Sequence, residues 1–189
     1  MDTESALKDE RRTHILDAAA ELLATKPTAL LADIATYAGI GKATLHRYFA
    51  NREALMLELA YRALDSVSLA IQSARLDEDS APIALRRLTE SLIPLGDKLY
   101  FLLNEHIWDV HPDLIRAEEA TQTPIHDLIQ RGQAEGTIRP DMSAVWMVYH
   151  LNFSLFAAWQ AINDGSIAKK EALRLVMDSV LGGIATRRD

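Results

Sequence analysis

Residues 31–49, LADIATYAGIGKATLHRYF, decide the fold of this chain. The stretch reads as two short helices joined by a tight turn. Ile34, Ala35 and Ala38 give the first helix one apolar face. Gly39 can take positive φ at no steric cost, as a sharp turn requires. Ile40 plugs the corner, and Leu45 with Tyr48 or Phe49 lies on the inner face of the second helix. Ala35 is small where crossing helices must approach closely. This is the spacing of a helix-turn-helix, whose second helix is offered to the DNA major groove. It predicts a sequence-specific DNA binder.

Composition sets the bounds around that stretch. The 189 residues are 49% hydrophobic and 25% charged, which is ordinary globular composition for one or two small domains. There are no cysteines, so disulfides, thiolate zinc sites and cysteine nucleophiles are excluded. The six histidines show no HExxH-type spacing, and neither a metal nor a cofactor is expected. No apolar run reaches the length of a membrane span, and the polar MDTESALKDERR start is no signal peptide. The expectation is a cytoplasmic protein without a membrane partner.

The net charge of −7 seems at odds with DNA binding until the chain is divided. Residues 1–52 hold seven basic and seven acidic side chains, so the acidity belongs to the remainder. Lys42, Arg47 and Arg52 cluster at the second helix of the motif, with no acid between residues 34 and 52. Phosphate contact needs a local basic face, which net charge does not report.

Outward from the motif, the periodicity predicts helices throughout. Ile15, Leu16, Ala19, Leu22 and Leu23 form one stripe of a helix over 8–25, stopped at Pro27. Asn51 is the expected N-cap of a long helix over 52–75, with Leu55, Leu59 and Leu64 inward. The acidic 76–82 is a turn, and helices follow to about 93, over 97–108, from Pro112 to about Gln133 with Pro124 as a possible kink, over 142–163 and over 168–186. The chain is expected to be all-α, with about nine helices and no strand. The domains are expected at 1–52, the helix-turn-helix unit, and 53–189.

The first 65 or so residues resemble the DNA-binding domain of the tetracycline-repressor (TetR) family. The likeness rests on Ile15-Leu16-Asp17-Ala18-Ala19 with Leu22-Leu23, on Asp33-Ile34-Ala35, and on Ala38-Gly39-Ile40. Its strongest part is Lys42-Ala43-Thr44-Leu45-His46-Arg47-Tyr48-Phe49 followed by Asn51-Arg52-Glu53-Ala54-Leu55. The sequence departs from the family at Lys26-Pro27-Thr28-Ala29-Leu30, where proline replaces a usual glycine and the link is shorter. That departure bears on the usual cap of the second helix and on a phosphate contact from Thr28, and leaves the recognition helix untouched.

The resemblance implies a DNA-contacting set. Lys42, Ala43, Thr44 and His46 are expected near the groove, Lys42 and Thr44 suiting phosphate or base edges. His46 is either a base or phosphate donor or a plain surface histidine. Tyr48 is expected to meet a backbone phosphate through its hydroxyl, the alternative being a core role. Arg52, at the start of a helix, also suits phosphate. Arg47 either joins the DNA face or pairs with an acid of its own domain.

For the second domain the resemblance implies a small-molecule effector and a homodimer. The last two helices would pack against their counterparts, because Val145, Val148, Leu151, Leu155, Leu173, Val176, Val180 and Ile184 exceed what one inner face needs. Two recognition helices would then read a palindromic operator in double-stranded DNA. Tyr100, Phe101, Trp108, Trp146, Tyr149, Phe153 and Phe156 are the candidate lining of an apolar or aromatic ligand pocket, with His106 as a polar anchor. The function expected is a ligand-responsive repressor and no enzyme. The competing readings are a DNA-binding adaptor without ligand and an all-α enzyme.

Overall fold

A computed structural model describes residues 3–98, 101 and 111–184 of the chain. Among these it is all-α: α1 (Thr3–Thr25), α2 (Leu31–Tyr37), α3 (Lys42–Tyr48), α4 (Arg52–Ser73), α5 (Ala81–Leu92), a 3-10 turn (Ile93–Leu95), α6 (Pro112–Ala134), α7 (Ala144–Asn163) and α8 (Lys169–Ile184). Residues 96–98 and 101 are also helical, and the rest of the helix expected over 97–108 lies outside the described residues.

The chain divides into two compact units, Met1–Arg62 and Ala63–Asp189. The division falls inside α4, later than the expected 52/53, because the first half of α4 supplies core to the first unit. Leu55, Met56, Leu59 and Ala60 are buried there with Ile15, Leu16, Ala19, Leu23, Ile34, Ala35, Leu45 and Phe49.

Local chemistry fixes each end of the motif. Gly39 has φ +66°, the left-handed conformation the turn was expected to need. Asn51 caps α4, its Oδ1 accepting from Ala54 N at 2.8 Å. The start of α2 has a different solution from the family's threonine. Asp33, in the first turn, reaches back and accepts from Leu30 N at 2.9 Å, and Lys26 Nζ approaches the same carboxylate at 3.2 Å. Those two bonds hold the Asp33 carboxyl below its usual range, the backbone N–H contributing most.

The second unit is built on α5, α6, α7 and α8, with Leu85, Leu88, Leu92, Ile125, Ile129, Met147, Leu151, Val176 and Val180 among its core. Arg87 ties down the acidic turn before α5. It donates to the carbonyls of Ala74 (2.9 Å), Arg75 (2.7 Å) and Glu78 (2.8 Å) and to Asp79 Oδ2 (2.7 Å). Arg75 and Asp79 both take positive φ in that turn. Gly132 of α6 is a close-approach glycine: a Cβ there would lie 2.5 Å from Ile138 Cδ1 and 2.8 Å from Ala81 Cβ. Pro124 lies inside α6, which runs on past it.

Candidate functional site

In the first unit, α3 buries Leu45 and turns the rest of its surface outward. Lys42, Ala43, His46 and Arg47 are exposed, Thr44 and Tyr48 half-buried. A seven-residue helix with one buried anchor leaves nearly its whole side-chain set for a partner. His46 Nδ1 lies 3.4 Å from the Ala50 carbonyl oxygen. A carbonyl only accepts, so this long bond keeps the hydrogen on Nδ1 and leaves Nε2 for another partner.

The C-terminal end of α3 is clamped by Arg12 of α1. Its Nε donates to Glu58 Oε1 at 2.6 Å, its second arm reaches Glu58 Oε2, and its third nitrogen donates to the Tyr48 carbonyl at 3.1 Å. The guanidinium also stands 4.6 Å from the centre of the Phe49 ring. One side chain thus connects α1, the end of α3 and α4. Sequence reasoning missed this role, because Arg12 reads only as one charge in a charged run.

Two expected DNA-facing residues have structural engagements as well. Arg47 lies over the Tyr48 ring, 5.5 Å from its centre, and forms no ion pair among the described residues. The Arg52 guanidinium donates to the carbonyls of Ala29 and, at 3.1 Å, Pro27. It therefore braces the short link whose proline departs from the family pattern.

In the second unit a cavity of about 420 Å³ opens between the second half of α4, α6 and α7. That volume lies in the range of small-molecule sites. Its apolar wall is Leu64, Val67, Val145 and Val148, with Tyr149 as its aromatic. Its polar wall comes from α6, with Glu118, Glu119, Thr121, Gln122, Thr123 and His126, and from Asn152 of α7. Asn152, buried, donates to Gln122 Oε1 at 3.3 Å. The Thr121 hydroxyl is bonded to the Ala117 carbonyl at 2.9 Å. Burial pushes the Glu118 carboxyl above its usual range, and the neighbouring Glu119 charge adds to the effect.

Of the eight residues expected to hold a ligand, Tyr149 lines this cavity. Trp146 and Phe153 are 61% and 57% exposed on the outer face of α7. Phe156 is half-buried with its ring centre 6.2 Å from that of Trp159, and Phe101 is half-buried. Tyr100, His106 and Trp108 lie outside the described residues. Conversely, Val148, Leu151, Leu155, Val176 and Val180, expected at a dimer seam, are buried within the chain itself. The exposed large apolar residues of α7 are Val145, which was expected at that seam, and Trp146, Tyr149 and Phe153, with Val145 and Tyr149 also at the cavity wall. The missed cavity residues carried a signal. Glu118, Gln122 and His126 recur every four residues along one line of α6, and Asn152 is a polar residue between Leu151 and Phe153 on α7.

Among the described residues no group of His, Asp and Glu could hold a metal ion, and no helix is long and apolar enough to cross a membrane.

Residues 15–59 match the family model for bacterial regulatory proteins of the tetR family. The chain is 34% identical over 185 residues to the HTH-type transcriptional repressor LfrR of Mycolicibacterium smegmatis, covering 97% of this chain and 95% of that protein. It is 29% identical over 139 residues to the HTH-type transcriptional regulator NfxB of Pseudomonas aeruginosa, covering 72% of each. Among solved structures, it superposes on the LfrR–proflavine complex from Mycobacterium smegmatis with a TM-score of 0.80 and 30% identity, over 96% of this chain and 99% of that one. With the regulator KstR2 of Mycobacterium tuberculosis it shares the fold, at a TM-score of 0.78 and 20% identity over 94% of this chain and 96% of that one. The chain belongs to the tetR family of bacterial regulatory proteins and is a DNA-binding transcriptional regulator.

Proposed function

We propose that the chain binds a palindromic operator as a homodimer and is released from it by a small, flat, cationic aromatic effector held in the α4–α6–α7 cavity. The observation that carries the DNA reading is the open face of α3: Lys42, Ala43 and His46 are exposed on a helix anchored by Leu45 and Phe49. The contact set is Lys42, Ala43, Thr44, His46 and Tyr48, with Arg47 at its edge. A single seven-residue helix reads few bases, so specificity calls for two copies about 34 Å apart. The stripe of Val145, Trp146, Tyr149 and Phe153 supplies apolar surface for a second copy to cover. A repressor of this kind works in the cytoplasm.

The effector class follows from the cavity wall. Tyr149 offers a ring face, Leu64 and Val67 an apolar floor, and Glu118 with Glu119 negative charge. The relative LfrR has been crystallised with proflavine, a planar tricyclic cation, which suits such a wall. Leu64 and Val67 belong to the same continuous helix that begins at Arg52 beside α3. An effector that prefers one position of α4 must lower DNA affinity by the factor that DNA lowers its own.

The test is selection from a randomised duplex pool, sequencing the bound fraction. The reading expects a two-half-site palindrome. Salt-sensitive binding without enrichment would overturn it.

A further inference from the structure

We propose that the cleft between α1 and α3 is a second phosphate site of the DNA interface, where Lys8 and Arg11 act with Arg47 to hold the duplex backbone beside the half-site. The proposal rests on the reading of α3 as the groove-facing helix and extends it to a helix outside the motif.

The cleft has a volume of about 860 Å³ and is lined by Lys8, Arg11 and His14 on one side and by Arg47 and Tyr48 on the other, with Leu7 and Glu10 completing it. Lys8 and Arg11 are three apart on α1, so they share one helix face. Both are exposed. Three permanent cations therefore converge on one concavity against the single carboxylate of Glu10.

The neighbouring arginines show what makes these three different. Arg12 is locked to Glu58, Arg62 pairs with Asp17 at 2.9 Å, and Arg52 is spent on carbonyls of the α1–α2 link. Lys8, Arg11 and Arg47 have no ion-pair partner among the described residues, although the first unit holds nine acidic side chains against eight basic ones. His14 Nε2 lies 3.1 Å from the Ala38 carbonyl oxygen, which fixes the middle of α1 against the end of α2. The cleft is thus a supported surface. Its α3 wall continues from the residues that face the bases, so a duplex seated on Lys42 and His46 carries its backbone along this edge. Flexible cations without geometric partners suit phosphate, which positions a protein on DNA without reading sequence.

The experiment uses the full chain and the duplex enriched from the random pool. Operator affinity is measured against salt for the wild type, for Lys8→Gln/Arg11→Gln, and for the charge-keeping Lys8→Arg/Arg11→Lys. The neutral pair is expected to lower the slope of log K against log salt by about 0.9 per lost phosphate contact, about 1.8 per half-site. Between 50 and 200 mM salt, that difference means each half-site of the wild type loses roughly 12-fold more affinity. The enriched sequence stays the same, and the charge-keeping pair retains the slope. Ethylating phosphates outside the half-site should impair the wild type and leave the neutral pair indifferent. Should the neutral pair unfold, Lys8→Gln alone is read by the same slope, with a drop of about 0.9 per half-site. A wild type that enriches a palindrome beside a neutral variant with an unchanged slope overturns the cleft alone. A wild type with no sequence preference overturns the groove-facing reading and the cleft with it.

Discussion

At the scale of single residues, charge placement separates the two functions of the chain. Tyr48 is half-buried, with its carbonyl held by Arg12 and its ring under Arg47, so the hydroxyl is the part left to act. A bond to a charged phosphate is worth about 1.5–3 kcal/mol. Tyr48→Phe should therefore weaken operator and random duplex alike, by about 10- to 150-fold per contact, read by titration of both. A shift in sequence preference would contradict a phosphate role. Glu118 makes the opposite kind of prediction. Burial and Glu119 raise its pKa in the folded chain, so its neutral form is favoured there and the stability linked to it is lost as pH rises through that raised value. Glu118→Gln should accordingly raise Tm slightly near neutral pH, by about 2 °C or less. The same change should weaken a cationic acridine at least tenfold and leave a neutral tricycle alone, by fluorescence titration. Cation affinity in the wild type should climb with pH above the ordinary carboxylate range.

At the scale of elements, the ends of helices show how much could be read in advance. Gly39, Asn51 and Ser143 each do what their residue type predicts, Ser143 Oγ accepting from Trp146 N at 3.2 Å. The cap of α2 was harder to read, because Asp33 acts from inside the helix on Leu30 N. Its depressed pKa means that this cap contributes above the usual carboxylate range and fails as pH falls through the lowered value. Asp33→Ala should lower stability at neutral pH and leave it unchanged in acid, by denaturant unfolding at both. Gly132 is an element-scale constraint that no periodicity reveals, since a helix would prefer alanine there. With Ile138 and Ala81 against it, Gly132→Ala should cost about 1–3 kcal/mol despite the better propensity. The motif was legible because a tight turn and a short helix are set by local spacing. The cavity was not, because its wall is assembled from α4, α6 and α7, and aromatic periodicity marks the outer face of α7 as readily as an inner one.

At the scale of the molecule, the exposed stripe on α7 and the continuous α4 carry the regulatory reading. Trp146 and Phe153 are more than half exposed, which a lone chain has no reason to maintain. Trp146→Asp/Phe153→Asp should yield monomers by light scattering and lose most operator affinity while keeping helix content. Five of the residues first expected at a seam, Val148, Leu151, Leu155, Val176 and Val180, are core, because α7 and α8 pack chiefly on one another and on α5 and α6, whereas Val145 is exposed as expected. The central claim couples the cavity to the DNA face through α4. Its most direct test is the affinity for the enriched duplex with and without saturating proflavine. The account predicts a drop of roughly 5- to 150-fold, matched by the same loss of proflavine affinity when the duplex is bound. Proflavine that binds in the cavity and leaves duplex affinity unchanged would contradict it.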